Sequence, residues 1–345
     1  MTTKRPIKVL IVDDSLLFRE VIDRGISTDL YITTVPSAKD PFDARDKLLQ
    51  YHPDVMVCDV EMPRMNGIDF VRRLLPQYPL PIIVVSGASE AVLDAMSAGA
   101  VEFVPKPDMK STQDVGRFIQ ELIAKIKIAA GSTVSRSRLA SAPAALSRQS
   151  AVSDNSIGKE PLVAIGASTG GIEAIDALLR SLPSTMPGIV IVQHIPPQFS
   201  RMFAERLNAS LPFTVQEARD GDWVKPGHVF IAPGDLHMDV VKAGSAFKIR
   251  CYSGSKVNGH CPSIDILFQS VAKAAGSAAI GIILTGMGYD GARGLLAMRR
   301  RGARTLAQDE ASSVVYGMPK AAFELGAAEK QVPLSKMGQT LLSLI

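Results

Sequence analysis

LVAIGASTGG, residues 162–171, sets a serine in a Gly-x-Ser-x-Gly pentad between an apolar run and a stretch with helical spacing. An apolar run, then glycines, then apolar residues three and four apart predict a strand, a tight corner and a helix, with Ser168 on the corner. A hydroxyl so placed stands clear of both elements and is a candidate nucleophile. Working outward, GIVIVQH (188–194) ends in Gln193 and His194, and AIGIILTGMGYDG (279–291) ends in a glycine-rich turn that carries Asp290. Serine is a poor nucleophile at neutral pH, so it needs an imidazole to take its proton and a carboxylate to fix the imidazole's tautomer. Ser168, His194 and Asp290 therefore form the candidate triad. The N–H groups of Thr169, Gly170 and Gly171, with the helix dipole behind them, are expected to be free to face an oxyanion.

The same glycine-rich corner could cradle a dinucleotide phosphate, but that use calls for an acid at the end of the next strand, where this chain has Gln193 and His194. An α/β-hydrolase would run Ser, acid, His, whereas the order here is Ser168, His194, Asp290. Of the other histidines, His52, His228 and His237 read as surface or structural residues. His260, just ahead of a helical pattern, is a candidate to line the cleft.

The bulk properties agree with a soluble two-domain protein. The 345 residues are 46% hydrophobic and 21% charged, with no apolar run long enough to span a bilayer. The apolar run near the N-terminus meets Asp13 and Asp14 too early to serve as a signal-peptide core, so a cytoplasmic location without membrane insertion is expected. Three cysteines with no C-x-x-C pair argue against disulfides and structural zinc. The net charge of +4 owes much to Arg136, Arg138, Arg148 and Lys159, in a Ser/Ala-rich stretch without aromatic residues. That composition fits a flexible connector over 131–159 rather than a nucleic-acid arm. It divides the chain into expected domains at 1–130 and 160–345. No compact basic helix-turn-helix follows the connector, so a transcriptional role has no support.

Ahead of the connector, strand candidates IKVLIVDD, YITTV, DVMVCD, PIIVVSG and EFVPK alternate with helical patterns, which implies a parallel sheet flanked by helices. The last helix, DVGRFIQELIAKIKI, carries Val115, Phe118, Ile119, Leu122, Ile123 and Ile126 on one face. Asp13, Asp14, Asp59, Ser86 and Lys106 all fall at strand ends on one edge of such a sheet. Three carboxylates there suit Mg²⁺, and the metal with Lys106 can neutralise a phosphoryl group in transit to Asp59. Cys58, next to Asp59, is expected to pack inward. After the connector a second α/β series follows, interrupted at 236–251 by a pattern with a central Ala-Gly-Ser that predicts a β-hairpin.

DDS (13–15), DVEMPRMNG (59–67), VVSGA (84–88) and FVPKP (103–107) resemble the receiver domain of bacterial response regulators. That resemblance implies a flavodoxin-like five-stranded sheet in which Asp59 accepts phosphate, Asp13, Asp14 and Asp59 hold Mg²⁺, Ser86 and Phe103 switch, and Lys106 contacts the phosphoryl group. IGASTGGIEA, VQHIPPQFSRMFAERLN, DGDWVKPGHVFIAPGDLHM, HCPSIDILF, LTGMGYDGARGL and AQDEASSVVYGMPKAA resemble the CheB-type chemotaxis methylesterases. This second resemblance implies a doubly wound, mostly parallel α/β domain with Ser168, His194 and Asp290 as triad and Thr169 and Met287 at the oxyanion site. It also implies hydrolysis of glutamyl methyl esters, and deamidation of glutamine, on methyl-accepting chemoreceptors. A chemotaxis histidine kinase would supply the phosphate, no cofactor would serve the ester chemistry, and the unphosphorylated receiver would inhibit the active site. The rival expectation is a phosphorylation-gated scaffold whose C-terminal domain binds but does not catalyse.

Overall fold

The computed structural model describes residues 5–63, 65–87, 89–132 and 161–345, so the expected connector lies outside the described residues from position 133 on. The chain divides into two compact units, Met1–Ser141 and Ala142–Ile345.

The first unit runs β1 (Ile7–Val12), α1 (Leu16–Ile26), β2 (Ile32–Thr34), α2 (Pro41–Tyr51), β3 (Val55–Asp59), α3 (Gly67–Leu74), β4 (Ile82–Ser86), α4 (Ser89–Ser97), β5 (Glu102–Pro105) and α5 (Thr112–Ala130). Its strands form one parallel sheet in the order β2-β1-β3-β4-β5. That is the flavodoxin-like order, in which the chain reverses direction at β1 and leaves a crevice beyond the strands' carboxyl ends. β3 and β4 are buried along their whole length, which is why they read as unbroken apolar runs instead of alternating. On α5, Phe118, Leu122, Ile126 and Ala129 are buried, and the helix packs against α1. Side-chain caps fix where helices begin: Ser15 Oγ accepts from Phe18 N, and Asn66 Oδ1 from Asp69 N.

The second unit runs β6 (Leu162–Ala167), α6 (Gly171–Arg180), β7 (Gly188–Gln193), α7 (Pro197–Ser210), β8 (Thr214–Glu217), β9 (Trp223–Val224), β10 (His228–Ile231), β11 (His237–Ala243), β12 (Ala246–Tyr252), α8 (Ile264–Ala274), β13 (Ala279–Ile283), α9 (Ala292–Arg300), β14 (Arg304–Gln308), α10 (Met318–Glu324), β15 (Lys330–Val332) and α11 (Leu334–Leu342). Seven strands form a parallel sheet ordered β15-β14-β13-β6-β7-β10-β8. From β6 the chain builds outward through β7, β10 and β8, then returns to the other side of β6 with β13. The switch point of this doubly wound sheet is therefore the β6/β13 boundary, where such folds bind ligands.

The predicted hairpin is present, with Ala243 paired to Ala246 around Gly244, whose φ of 66° suits a tight turn. It is larger than the sequence suggested, because β9 adds a third antiparallel strand through Phe247–Val224 and Lys248–Trp223 pairs. A two-residue strand carries too little periodicity to be read in advance. Phe230, Met238, Val240, Phe247, Ile249, Leu267 and Phe268 belong to one core that joins the large sheet, the small one and α8.

Candidate active site and acidic pocket

In the first unit, β1 delivers Asp13 and Asp14, β3 ends on Asp59, β4 ends on Ser86, and Lys106 follows β5. The register pairs Val12 with Cys58, Asp59 with Val85 and Ser86 with Pro105, which brings all of these residues to one edge. Asp13, Asp59 and Ser86 are buried, Asp14 is exposed, and the carboxylate oxygens of the three aspartates come within 4.8 Å of one another. Lys106 Nζ lies 2.8 Å from Asp59 Oδ2 and donates to Asp13 Oδ2 at 3.2 Å. Burial and the Asp59 charge push the Asp13 carboxyl above its ordinary range by more than Lys106 pulls it down. Burial opposes the Lys106 ammonium, but the two carboxylates outweigh it and raise its pKa.

Asp59 Oδ2 is buried and ion-paired but accepts no well-angled hydrogen bond. A site with surplus negative charge and an unsatisfied carboxylate oxygen fits a hard divalent cation. Gly67 keeps the neighbouring loop tight, since a Cβ there would stand 2.1 Å from the Asp59 carbonyl oxygen. Phe103 is buried, with Lys125 Nζ 5.1 Å from its ring centroid. Cys58 is fully buried, and its thiol is pushed up by burial and by the adjacent Asp59, so it is a packing residue and no nucleophile.

In the second unit, Ala167 pairs with Gln193 as the last rung between β6 and β7, so Ser168 and His194 leave the sheet side by side. The Ser168 N–H donates to the Thr285 carbonyl, and His194 N–H to that of Ala167. Ser168 does not cap α6; the cap position is Gly170, at φ 73°. The corner differs from expectation at one N–H: that of Gly171 is not free but donates to the Ser168 carbonyl at 2.7 Å, closing the turn. Thr169 is buried, and its carbonyl accepts from the Thr285 hydroxyl at 3.0 Å. Met287 is exposed beside Gly286, and a Cβ on Gly286 would stand 2.7 Å from Ser168 Cβ. The Asp290 loop therefore packs directly on Ser168.

His194 Nε2 lies 3.0 Å from Asp290 Oδ2. An ionised carboxylate only accepts, so the proton is on Nε2 and Nδ1 carries the lone pair. Nδ1 is buried and has no hydrogen-bond partner among the described residues, so its lone pair is unengaged. Asp290 is 1% exposed. Its Oδ2 also accepts from Ile264 N at 2.7 Å, and its Oδ1 accepts from Asn258 Nδ2 and Ser263 Oγ, each at 2.8 Å. Burial alone would raise this carboxyl; the bonds from His194, Asn258 and the first turn of α8 outweigh it and hold the pKa at about 2. Asp290 is thus a fixed anion at any pH where the imidazole works.

Gln193 and Gly171 take parts at this edge that the sequence did not show, and His260, expected only to line the cleft, has a defined partner there. Gln193, 3% exposed, sends its amide N–H groups to the carbonyls of Ser168 (3.0 Å) and His194 (3.1 Å), so one side chain ties the Ser168 and His194 corners together. Gly171 makes room for it, because a Cβ there would meet Gln193 Oε1 at 2.1 Å. His260 stacks on His194 with ring centroids 3.7 Å apart and planes 8° from parallel. Burial, and secondarily the neighbouring His194, lower its pKa to about 4, so it is neutral at neutral pH. His237 is buried and structural: Nδ1 accepts from Ser263 N and Nε2 donates to the Ser255 carbonyl.

An acidic pocket with a half-buried lysine on a flavodoxin-like sheet, and a serine corner beside a His–Asp pair at the switch point of a doubly wound sheet, define the class: a receiver-like domain joined to an α/β domain of serine-hydrolase type. The receiver-domain profile of response regulators matches residues 9–114, and the CheB methylesterase profile matches residues 163–341. The chain belongs to the CheB methylesterase family. It is 54% identical, over 99% of its length and 98% of the relative's, to protein-glutamate methylesterase/protein-glutamine glutaminase 2 of Syntrophomonas wolfei. It is 48% identical, over 99% and 98%, to the protein-glutamate methylesterase/protein-glutamine glutaminase of Syntrophotalea carbinolica. The catalytic domain of Thermotoga maritima CheB methylesterase superposes with a TM-score of 0.53 at 38% identity, covering 54% of this chain and 98% of that one. Among the described residues no helix is long and apolar enough to cross a membrane.

Proposed function

We propose that this protein is a phosphorylation-regulated protein-glutamate methylesterase and protein-glutamine glutaminase acting on methyl-accepting chemoreceptors in the cytoplasm. The observation that carries the reading is the His194–Asp290 pair, whose buried, unpartnered Nδ1 belongs to a residue that leaves the sheet beside Ser168. Nδ1 takes the Ser168 proton as the hydroxyl oxygen attacks the glutamyl ester carbonyl. The charge that develops on the carbonyl oxygen is met by backbone N–H groups near Thr169 and Met287. His194 returns the proton to the leaving methoxide, so methanol departs and an acyl-serine remains. Water, deprotonated by the same nitrogen, then releases glutamate. Glutamine follows the same course with ammonia as leaving group.

Asp59 accepts the phosphoryl group from a chemotaxis-type histidine kinase. Asp13, Asp14 and Asp59 would hold Mg²⁺, which when bound screens the carboxylates from the incoming phosphoryl oxygens. Lys106 then exchanges its carboxylate partners for the phosphoryl group, and Ser86 and Phe103 follow that change. The receiver occupies 1–130, a connector 131–159 and the esterase 160–345, and the unphosphorylated receiver inhibits the active site. Methanol release from methylated receptor membranes, with and without a small-molecule phosphodonor, tests the reading. Ser168→Ala is expected to abolish release, and Asp59→Asn to abolish its stimulation. Unchanged release by Ser168→Ala would refute the mechanism and favour the scaffold reading.

A further inference from the structure

Between the small antiparallel sheet and α8 the chain makes a tight turn whose two central residues are Asn258 and Gly259. Val257 and His260 exchange both backbone hydrogen bonds at 3.0 Å, and the central residues have φ of 53° and 86°. Two consecutive left-handed residues are the requirement of a two-residue I′-type turn, and Asn-Gly is the pair best able to adopt it. The backbone therefore accounts for the residue types. It does not account for where the side chains go.

The Asn258 amide donates at 2.8 Å to both Asp265 Oδ2 and Asp290 Oδ1, so one nitrogen bridges two buried carboxylates. Asp265 is itself fastened to α9, where Gly294 N donates to its Oδ1 at 2.6 Å. The charged and titratable groups that bear on this cluster are His194, His260, Lys256 and Arg293. Two residues after Asn258's own position, the His260 ring lies flat on His194. The turn is held from below by buried His237, which bonds to Ser255 and Ser263 on either side of it.

A catalytic imidazole has to present Nδ1 in one direction. The Asp290 bond fixes one end of the ring but leaves rotation about that bond open. A flat partner at 3.7 Å removes the rotation, because tilting His194 out of plane would drive its atoms into His260. Asp290 in turn must not swing, and its Oδ1 is held by Asn258. We infer that the Val257–His260 turn is a positioning device for the catalytic pair, with Asn258 fixing the Asp290 carboxylate and the His260 ring plane fixing that of His194. Neither side chain touches substrate in this role, and the inference rests on the esterase reading only for its kinetic readout.

The test uses the full-length protein, labelled with ¹⁵N only at histidine, alongside methanol-release kinetics. Asn258→Gly keeps the left-handed backbone and removes the amide, which avoids a folding defect from strain. His260→Ala removes the ring, and His260→Phe restores a flat ring that cannot carry a proton. Losing a hydrogen bond to a charged acceptor is expected to lower kcat about ten- to a hundredfold in Asn258→Gly, with KM unchanged. His260→Ala should lose about tenfold, and His260→Phe should recover to within about threefold of the parent. The ¹⁵N shifts of His194 should show a single Nε2–H tautomer in the parent and in His260→Phe, and an averaged pair of shifts in Asn258→Gly and His260→Ala. The inference is overturned if His260→Phe is as slow as His260→Ala, if KM rises while kcat holds, or if the His194 shifts are the same in all four proteins. A parent that releases no methanol would sink the esterase reading alone, and the ¹⁵N pattern would still decide the positioning role.

Discussion

Replacing Asp290 by Asn changes one oxygen for one NH₂ of nearly the same size, so its effect isolates charge and donor direction. Each carboxylate oxygen accepts from at least two donors: Oδ2 from His194 Nε2 and Ile264 N, Oδ1 from Asn258 and Ser263. Whichever way the new amide is turned, its NH₂ faces donors. If the NH₂ takes the Oδ2 position, the imidazole must accept it at Nε2 and carry its own proton on Nδ1, so the base is lost. The equivalent exchange in a serine protease triad costs about 10⁴ in kcat through the same tautomer reversal, and a loss of that order is expected here. Stability falls as well. A carboxyl held at about 2 instead of 3.8 stabilises the fold by about 2 kcal/mol, and this is present in full above pH 3.8 and lost as pH falls toward 2. The Asn variant lacks that stabilisation and leaves buried donors unmatched, for a total near ~3 kcal/mol at neutral pH. At ~2–4 °C per kcal/mol the melting temperature of the esterase unit should fall by about 10 °C. The parent's melting temperature should drop more steeply than the variant's between pH 4 and 2. Methanol-release kinetics and thermal melts across pH provide the assay. A variant within tenfold of parental kcat, or with the same acid dependence of melting, would refute the account of Asp290.

Gln193→Met keeps the length of the side chain but removes both donors to Ser168 and His194 while also removing the unsatisfied Oε1; the net loss should be about 1–3 kcal/mol in stability, read by urea unfolding, with kcat falling and KM unaltered. Gly171→Ala should cost at least as much, since its Cβ would collide with Gln193 Oε1, and the double variant Gly171→Ala/Gln193→Ala should recover part of the loss. Gly67→Ala drives a Cβ into the Asp59 carbonyl, so it should destabilise the receiver by about 1–3 kcal/mol and slow uptake of phosphate from a small-molecule donor. Cys58→Ser should leave phosphate uptake intact while destabilising the receiver, because the thiol is packing; loss of uptake at full stability would contradict that assignment.

The parts of the site that were legible in the sequence end regular strands. Ser168, His194 and Asp290 each follow an apolar run, and a parallel sheet necessarily gathers such ends on one edge; the same holds for Asp13, Asp59 and Ser86. Residues from irregular backbone, and a strand-start histidine whose partners lie in loops, were not legible. Asn258 and Ser263 reach Asp290 from a turn and a helix cap with no period to read, and His237, at the start of β11, bonds to loop residues on either side of that turn. Gln193 was seen as a strand terminus, but nothing in its position announced that its amide would turn back to the carbonyls of Ser168 and His194. The Gly171 N–H was expected to be free because helix starts usually leave such donors open, and the tightness of this corner is what engages it. Strand β9 escaped notice because two residues are too short for an alternation.

Ser263 sits at the N-cap of α8, yet its hydroxyl turns to Asp290, and the first N–H of that helix is satisfied by the same aspartate from the far side of β13. A segment near the middle of this unit is therefore started by a residue that is synthesised 26 positions after it. The start of the helix and the acid beside the imidazole therefore share one side chain. One aspartate thus serves both the helix start and the imidazole, so whatever loosens the start of α8 should disarm His194 as well.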